Sequence, residues 1–528
     1  MLDNENVIDN ANAHVAGNSV KTDDYILIPT VSYYSLKKSM RVIQDMVLYY
    51  FPLHNLEFKD CFRLLPMLIF AEATAYQNDE EYEANLVDPK CFSPSLNTLV
   101  RILEQASLYD EQLSTELQRG IKYWQMERKL CSDSSFTEAD IVENTRFKCC
   151  DYRFLHRLMF RLLNKPYDEE LLDLSWVVEQ IGEIEDDLLQ YSENVVDNVY
   201  NTYHLYVRLY GDNARQHFQA HLDSLYEELN ERETSLAATR PELERLWQQV
   251  QARYAKNNPA PDVPAAITDS SVPAKGNFPY TPIELTPTLS YKAITKAMVI
   301  VEEIVSFYFP LHGLDESDAF TWLTELIFAE AMLYQIDEEH EANINNPGFE
   351  SAQTQVLRSV LNTHGWYDEL LDAELQSGLE YCLQEQKMCT GQKFTEKDVI
   401  KATYFKCCDY RFLHRLLFLL TKKPYIEELI TVCSLVEEAG EIEDDIRQYH
   451  SDIERNVYNT YRMFVKLHGK NAPRHLKHHI ESLEKKIEEQ LEGLYNINPE
   501  WIEIGNTLQE AYYQQHPSPV IPAPLLET

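Results

Sequence analysis

Glu72, Tyr76, Asp79 and Glu83 are spaced four, three and four residues apart, so on a helix they share one face, with Glu80 beside them. Carboxylates grouped in this way repel one another unless cations neutralise them. A hard divalent ion such as Mg2+ is the natural occupant, and a solvated acidic face is the plain alternative. The pattern returns at Asp337, Glu338 and Glu341. A second block, Phe147 to Leu158, recurs unchanged from Phe405 to Leu416. In it Arg153 and Arg157, and then Arg411 and Arg415, stand one helical turn apart and could grip an anion such as diphosphate. Asp151 offers the competing reading of a structural salt-bridge knot. A third block carries Asp186, Gln190 and Asn194 every four residues, matched by Asp444, Gln448 and Asp452. Such an oxygen stripe suits a hard cation, with water and substrate completing its shell; a polar contact between helices is the other reading. Asp452 is a carboxylate where the first copy has neutral Asn194, so the second copy is expected to carry more Mg2+-dependent turnover.

In their order along the chain these blocks resemble the motifs of class I terpene synthases. Asp79-Glu80-x-x-Glu83 and Asp337-Glu338-x-x-Glu341 look like the aspartate-rich first motif of that family. Asp186-Asp187-x-x-Gln190-x-x-x-Asn194 looks like its second, with Gln190 and Gln448 standing where the family has a hydroxyl ligand. The resemblance implies an all-α catalytic bundle that binds Mg2+ through these residues. It further implies that Arg153 or Arg157, and Arg411 or Arg415, sense the diphosphate of a prenyl substrate. The reaction would be ionisation to a carbocation, a carbon–oxygen lyase step giving a terpene and diphosphate. Metal and arginine charges would stabilise the leaving group, and aromatic faces the cation.

Two other functions fit the same residues. A carboxylate-bridged di-metal oxidase would recruit Glu72, Asp151, His156 and Glu183 from several helices of a bundle. A non-catalytic binding or scaffold protein would use the repeated blocks only to fix contacts between helices.

The elements that carry these residues come as a tandem duplication. Pro29-Thr30, Phe51-Pro52-Leu53-His54, Asp79, Asp186 and Gly211 all recur at an offset of 258 residues. An unchanged offset means no net insertion between copies, and a period this long means that each copy has its own core. Within a copy the apolar residues fall at spacings of three and four, as at Met40, Ile43, Met46, Val47 and Tyr50. Phe136-Thr137-Glu138-Ala139-Asp140 and its repeat at Phe394 read as capped helix starts. The expected architecture is two all-α helical bundles of similar topology, at 25–256 and 281–516. A polar tail at 1–24, a proline-rich linker at 257–280, with seven of the 23 prolines between Pro259 and Pro287, and a tail at 517–528 complete the chain.

Composition sets the outer limits. With 86 acidic and 47 basic residues in 528, the net charge of −39 excludes nucleic-acid binding through a general basic surface. Only 14 glycines leave little room for hairpins and point to helices. No apolar run approaches a membrane span, no signal peptide precedes Asn10, and the ten cysteines show no C-x-x-C spacing. A cytoplasmic location is the expectation. The expected partners are a prenyl diphosphate and no nucleic acid, with the two copies as candidates to pack together.

Overall fold

The computed structural model describes residues 20–21, 26–27, 29–83, 92–132, 135–197, 199–267, 287–343, 346, 349–515 and 517–526. The chain is all-α, about 82% helical with almost no strand. It divides into two compact units, Met1–Thr295 and Lys296–Thr528. The division falls later than the proline-rich stretch because a short strand, Thr288–Ser290, pairs antiparallel with Thr30–Ser32 inside the first unit.

The first unit holds α1 (Tyr33–Asp45), α2 (Cys61–Glu83), α3 (Pro94–Gln105), α4 (Glu111–Ser132), α5 (Glu138–Lys148), α6 (Cys150–Leu162), α7 (Glu169–Leu189), α8 (Tyr191–Asp197), α9 (Thr202–Tyr210), α10 (Ala214–Thr239) and α11 (Pro241–Asn257). After α12 (Tyr291–Glu303), inside which the division lies, the second unit repeats the order. It has α13 (Ala319–Ala342), α14 (Ala352–Thr363), α15 (Glu369–Cys389), α16 (Glu396–Lys406), α17 (Cys408–Leu420), α18 (Glu427–Arg455), α19 (Thr460–His468), α20 (Ala472–Ile497) and α21 (Pro499–Gln515). The expected helix starts are present: Thr137 and Thr395 cap α5 and α16, each in a reciprocal box with an aspartate three residues on.

One helix in each copy sits at the centre. Every residue from Leu64 to Thr74 of α2 is buried, as is every residue from Leu323 to Met332 of α13. A helix apolar nearly all round belongs inside a bundle, so the carboxylates of these runs, Glu72 in the first and Glu325 and Glu330 in the second, are carried into the interior. Helices α4 and α6 approach closely beside it. A β-carbon at Gly120 would lie 3.2 Å from Cys150 Sγ, and one at Gly378 would lie 2.9 Å from Cys408 Sγ, which explains both the glycines and the small paired cysteines.

The segments after the last helices are not free connectors. Tyr203 donates its hydroxyl to Pro264 O (3.1 Å), and Ile267 N donates to the Tyr191 hydroxyl (2.8 Å). In the second copy Tyr461 donates to Pro522 O (2.6 Å) and Leu525 N to the Tyr449 hydroxyl (2.8 Å). Residues 259–267 of the expected linker and 517–526 of the expected tail are therefore straps packed on their own bundles, matched at the same 258-residue offset. The rest of that linker, 268–286, and most of the N-terminal tail lie outside the described residues.

Candidate functional site: a buried carboxylate row in each copy

The three repeated blocks meet inside the bundle, through residues beside most of those picked from the motifs. Glu72 on α2, Asp151 at the start of α6 and Glu183 on α7 lie close enough to repel one another. Burial, and then Asp151 and Glu183, hold the Glu72 carboxyl well above the usual carboxylate range. Burial and Glu183 push Asp151 up to about 7. Two turns further along α2, burial raises Asp79 to about 6 although Trp124 Nε1 donates a hydrogen bond to it. The cation serving this row is Lys148, which bridges Glu183 (2.9 Å) and Asp187 (2.8 Å). Burial disfavours its charge, but Asp187 and Glu183 outweigh that and keep it protonated.

The second copy repeats the row with Glu330, Asp409, Glu441 and the bridging Lys406, which pairs with Glu441 and Asp445. Glu330 is 5% exposed, and its Oε2 has no hydrogen-bond partner. Burial, then Asp409 and Asp337, hold its carboxyl high. Asp337 itself is pushed to about 8, by burial and then by Glu341 and Glu385. Each interior thus gathers more carboxylates than its one lysine can neutralise.

In the first unit the row borders a cavity of about 270 Å3 beside α7 and α11. Tyr50, Tyr152, Tyr254 and Trp247 give it aromatic walls, and Glu183 and Arg41 are polar members of its lining. Tyr50 donates to Glu179 Oε1 (2.5 Å), whose other oxygen has no partner, and burial raises Glu179 to about 8. Tyr152 donates to Asp45 (2.9 Å), which burial raises to about 6.

No family model, curated protein or solved structure matches this chain. Its chemistry rests on its own residues.

The motif residues themselves fall as follows. Asp79 and Asp337 reach the interior, and Glu80 is half-buried at its edge. Glu338 and Glu341 are on α13, Glu341 exposed yet near enough to raise Asp337. Glu83 ends α2 with its side chain outside the described residues. Of the Asp186 stripe, Asp186 itself lines the adjoining cavity but is taken up by a cation, and the rest lies outside the row. Asp186 pairs with Arg41, Gln190 is exposed at the break between α7 and α8, and Asn194 lies on α8 beyond it. In the second copy the stripe runs along unbroken α18, yet Asp444 pairs with Arg447 (2.6 Å) and Gln448 is exposed. Asp452 is buried and accepts from Arg455 (2.5 Å) and Asn459 Nδ2 (2.8 Å), so its carboxylate is already engaged. The inward acids of this block are Glu183 and Asp187, offset by one residue around the helix from the expected Asp186.

The four arginines form a salt-bridge knot, as in the competing reading, but with glutamates from other helices in place of Asp151. Buried Glu116 accepts from Arg153 Nε (3.1 Å) and Arg157 Nε (2.8 Å), while Glu169 takes Arg157 in a two-pronged pair at 2.8 Å. Arg153 also donates to Leu172 O (2.6 Å) and Asp173 (2.8 Å). In the second copy Glu374 joins Arg411 (2.7 Å) and Arg415 (3.0 Å), and Glu427 clasps Arg415. With their planar forks matched to carboxylates, these guanidiniums tie α6 to α4 and α7, and α17 to α15 and α18. His156 is likewise withdrawn from the carboxylates: its Nε2 meets His54 Nε2 at 3.0 Å, as His414 meets His312 at 2.8 Å. Burial and then Lys165 lower His54 to about 4, so the pair is neutral.

Lys148 and Lys406 were present in the repeated block but carried no motif signal. The cue was their retention in both copies, four residues ahead of the repeated tyrosines Tyr152 and Tyr410.

Proposed function

We propose that each copy binds a divalent cation in its carboxylate row, and that the first copy uses it to ionise a prenyl diphosphate in the manner of a class I terpene synthase. The supporting observation is the meeting of Glu72, Asp151 and Glu183, one acid from each repeated block, and of Glu330, Asp409 and Glu441. The donor set is oxygen only, which suits Mg2+ or Mn2+ and disfavours the iron of a di-metal oxidase, whose histidine is taken up by His54. A bound cation supplies charge to the leaving diphosphate. Lys148, bridging Glu183 and Asp187, and Arg41, paired with Asp186, are the basic groups nearby that a diphosphate would have to draw from their carboxylates, and the tyrosine and tryptophan walls of the adjoining cavity suit a carbocation. Valine stands at 299, the position matching Arg41, so this reading favours turnover in the first copy and replaces the expectation built on Asp452.

The test is diphosphate release from prenyl diphosphates of several chain lengths with Mg2+. Glu72→Gln is expected to lower it about 100-fold, on the scale of losing one preorganised electrostatic group, with Glu330→Gln nearly neutral. Absence of release at every chain length removes the reaction and leaves a cation-binding protein; tightly retained iron would move the assignment to the oxidase.

A further inference from the structure

We infer that the second copy carries a separate site for a first-row transition metal such as Zn2+, built from Glu396, His468 and His475. This site is independent of the carboxylate row and of the reaction proposed for it. Glu396 is the first residue of α16, His468 the last of α19, and His475 lies in the first turn of α20. Gly469, at φ 53°, turns the chain between the last two helices and stacks the imidazoles, with ring centres 3.6 Å apart and planes 5° from parallel. Their ligand nitrogens and a Glu396 oxygen all lie within 4.8 Å of one another. His468 Nε2 is 2.8 Å and His475 Nδ1 3.4 Å from the same Glu396 Oε2. Ligands at about 2.0–2.1 Å from a tetrahedral zinc stand about 3.3 Å apart, so the spacing suits one ion, and one imidazole must rotate out of the parallel stack to bring both in-plane lone pairs onto it.

Two observations separate this cluster from an ordinary ion pair. Despite the 2.8 Å approach, His468 Nε2 makes no hydrogen bond with Glu396, or with any other group, and is shielded from solvent. The nitrogen and the oxygen are close but not aligned for a hydrogen bond, which leaves the buried His468 nitrogen without a hydrogen-bond partner beside a carboxylate. The first copy supplies the control. There the same corner holds Glu138, Tyr210 and His217, with the tyrosine and histidine rings stacked at the same 3.6 Å and Gly211 turning at φ 54°. In that copy the Tyr210 hydroxyl donates directly to Glu138, which closes the corner as a hydrogen bond. With His468 in place of that tyrosine on a similarly turned backbone, the hydroxyl-to-carboxylate hydrogen bond is gone and an imidazole nitrogen stands in its place. The outcome is a two-histidine, one-carboxylate set, partly open to solvent for a water ligand, of the kind that selects Zn2+ or Fe2+ over Mg2+.

The test uses the untagged full-length chain, stripped with EDTA and titrated with Zn2+, and with Co2+ to read ligand-field absorption. The wild type is expected to take up one tight zinc per chain. H468Y, which restores the residue of the first copy, is expected to lose it while keeping its circular dichroism and its response to Mg2+. Y210H is expected to gain a second zinc, because Glu138 and His217 are already in place. The same zinc stoichiometry in wild type and H468Y overturns the inference. Should H468Y fail to fold, an unchanged stoichiometry in Y210H overturns it.

Discussion

At the scale of single residues, the decisive fact is which charged groups already have partners. Glu116 is 1% exposed and accepts from Arg119 (2.5 Å) as well as Arg153 and Arg157. Removing one side of such a buried pair leaves the other charge uncompensated, at a cost of about 3–5 kcal/mol. Glu116→Ala is therefore expected to destabilise the first unit by that amount in urea unfolding. A diphosphate-sensing role for the arginines would have left stability nearly unchanged. Sequence could not decide this, because an arginine pair one turn apart reads the same whether it faces an anion or a glutamate on another helix. It missed Asp187 for a related reason: adjacent aspartates differ by about 100° around a helix, and only packing tells which one points inward. Asn201 and Asn459, retained in both copies, cap α9 and α19 through bonds to His204 N (3.0 Å) and Arg462 N (2.9 Å).

At the scale of elements, helices were legible wherever apolar residues kept a helical period, and so were the capped starts at Thr137 and Thr395. The central helices were legible only as helices with an acidic face at Glu72, Tyr76, Asp79 and Glu83; the buried runs at 64–74 and 323–332 explain why Glu72 and Glu330 are interior. The straps were not legible. Proline-rich segments read as solvated connectors, and only the tyrosine hydroxyls at 191, 203, 449 and 461 reveal that 259–267 and 517–526 are docked. Truncation after Gln515 removes the hydrogen bonds that Pro517, Pro522 and Leu525 make with Arg447, Tyr461 and Tyr449, and the contact of Ile521 with the core. It is expected to destabilise the second unit by about 1–3 kcal/mol in thermal unfolding, with the first unit unaffected.

At the scale of the whole molecule, each copy keeps a surplus of carboxyl groups in its interior. Carboxyls such as Asp151 and Asp409, raised to about 7, and Asp79, raised to about 6, hold protons more tightly folded than unfolded. The stability that this contributes is fully present below about pH 4, the ordinary carboxylate range, and is lost as pH rises through the folded values toward about pH 8. A divalent cation must displace those protons, so its affinity rises over the same window. Calorimetric titration of the EDTA-stripped chain with Mg2+ at pH 8 and at pH 6 tests the central claim directly. The expected result is saturable binding in both copies, at least tenfold tighter at pH 8. Glu72→Gln should abolish the binding in the first copy and Glu330→Gln that in the second. Absence of saturable Mg2+ binding at pH 8, or binding undiminished in the double variant, would contradict it.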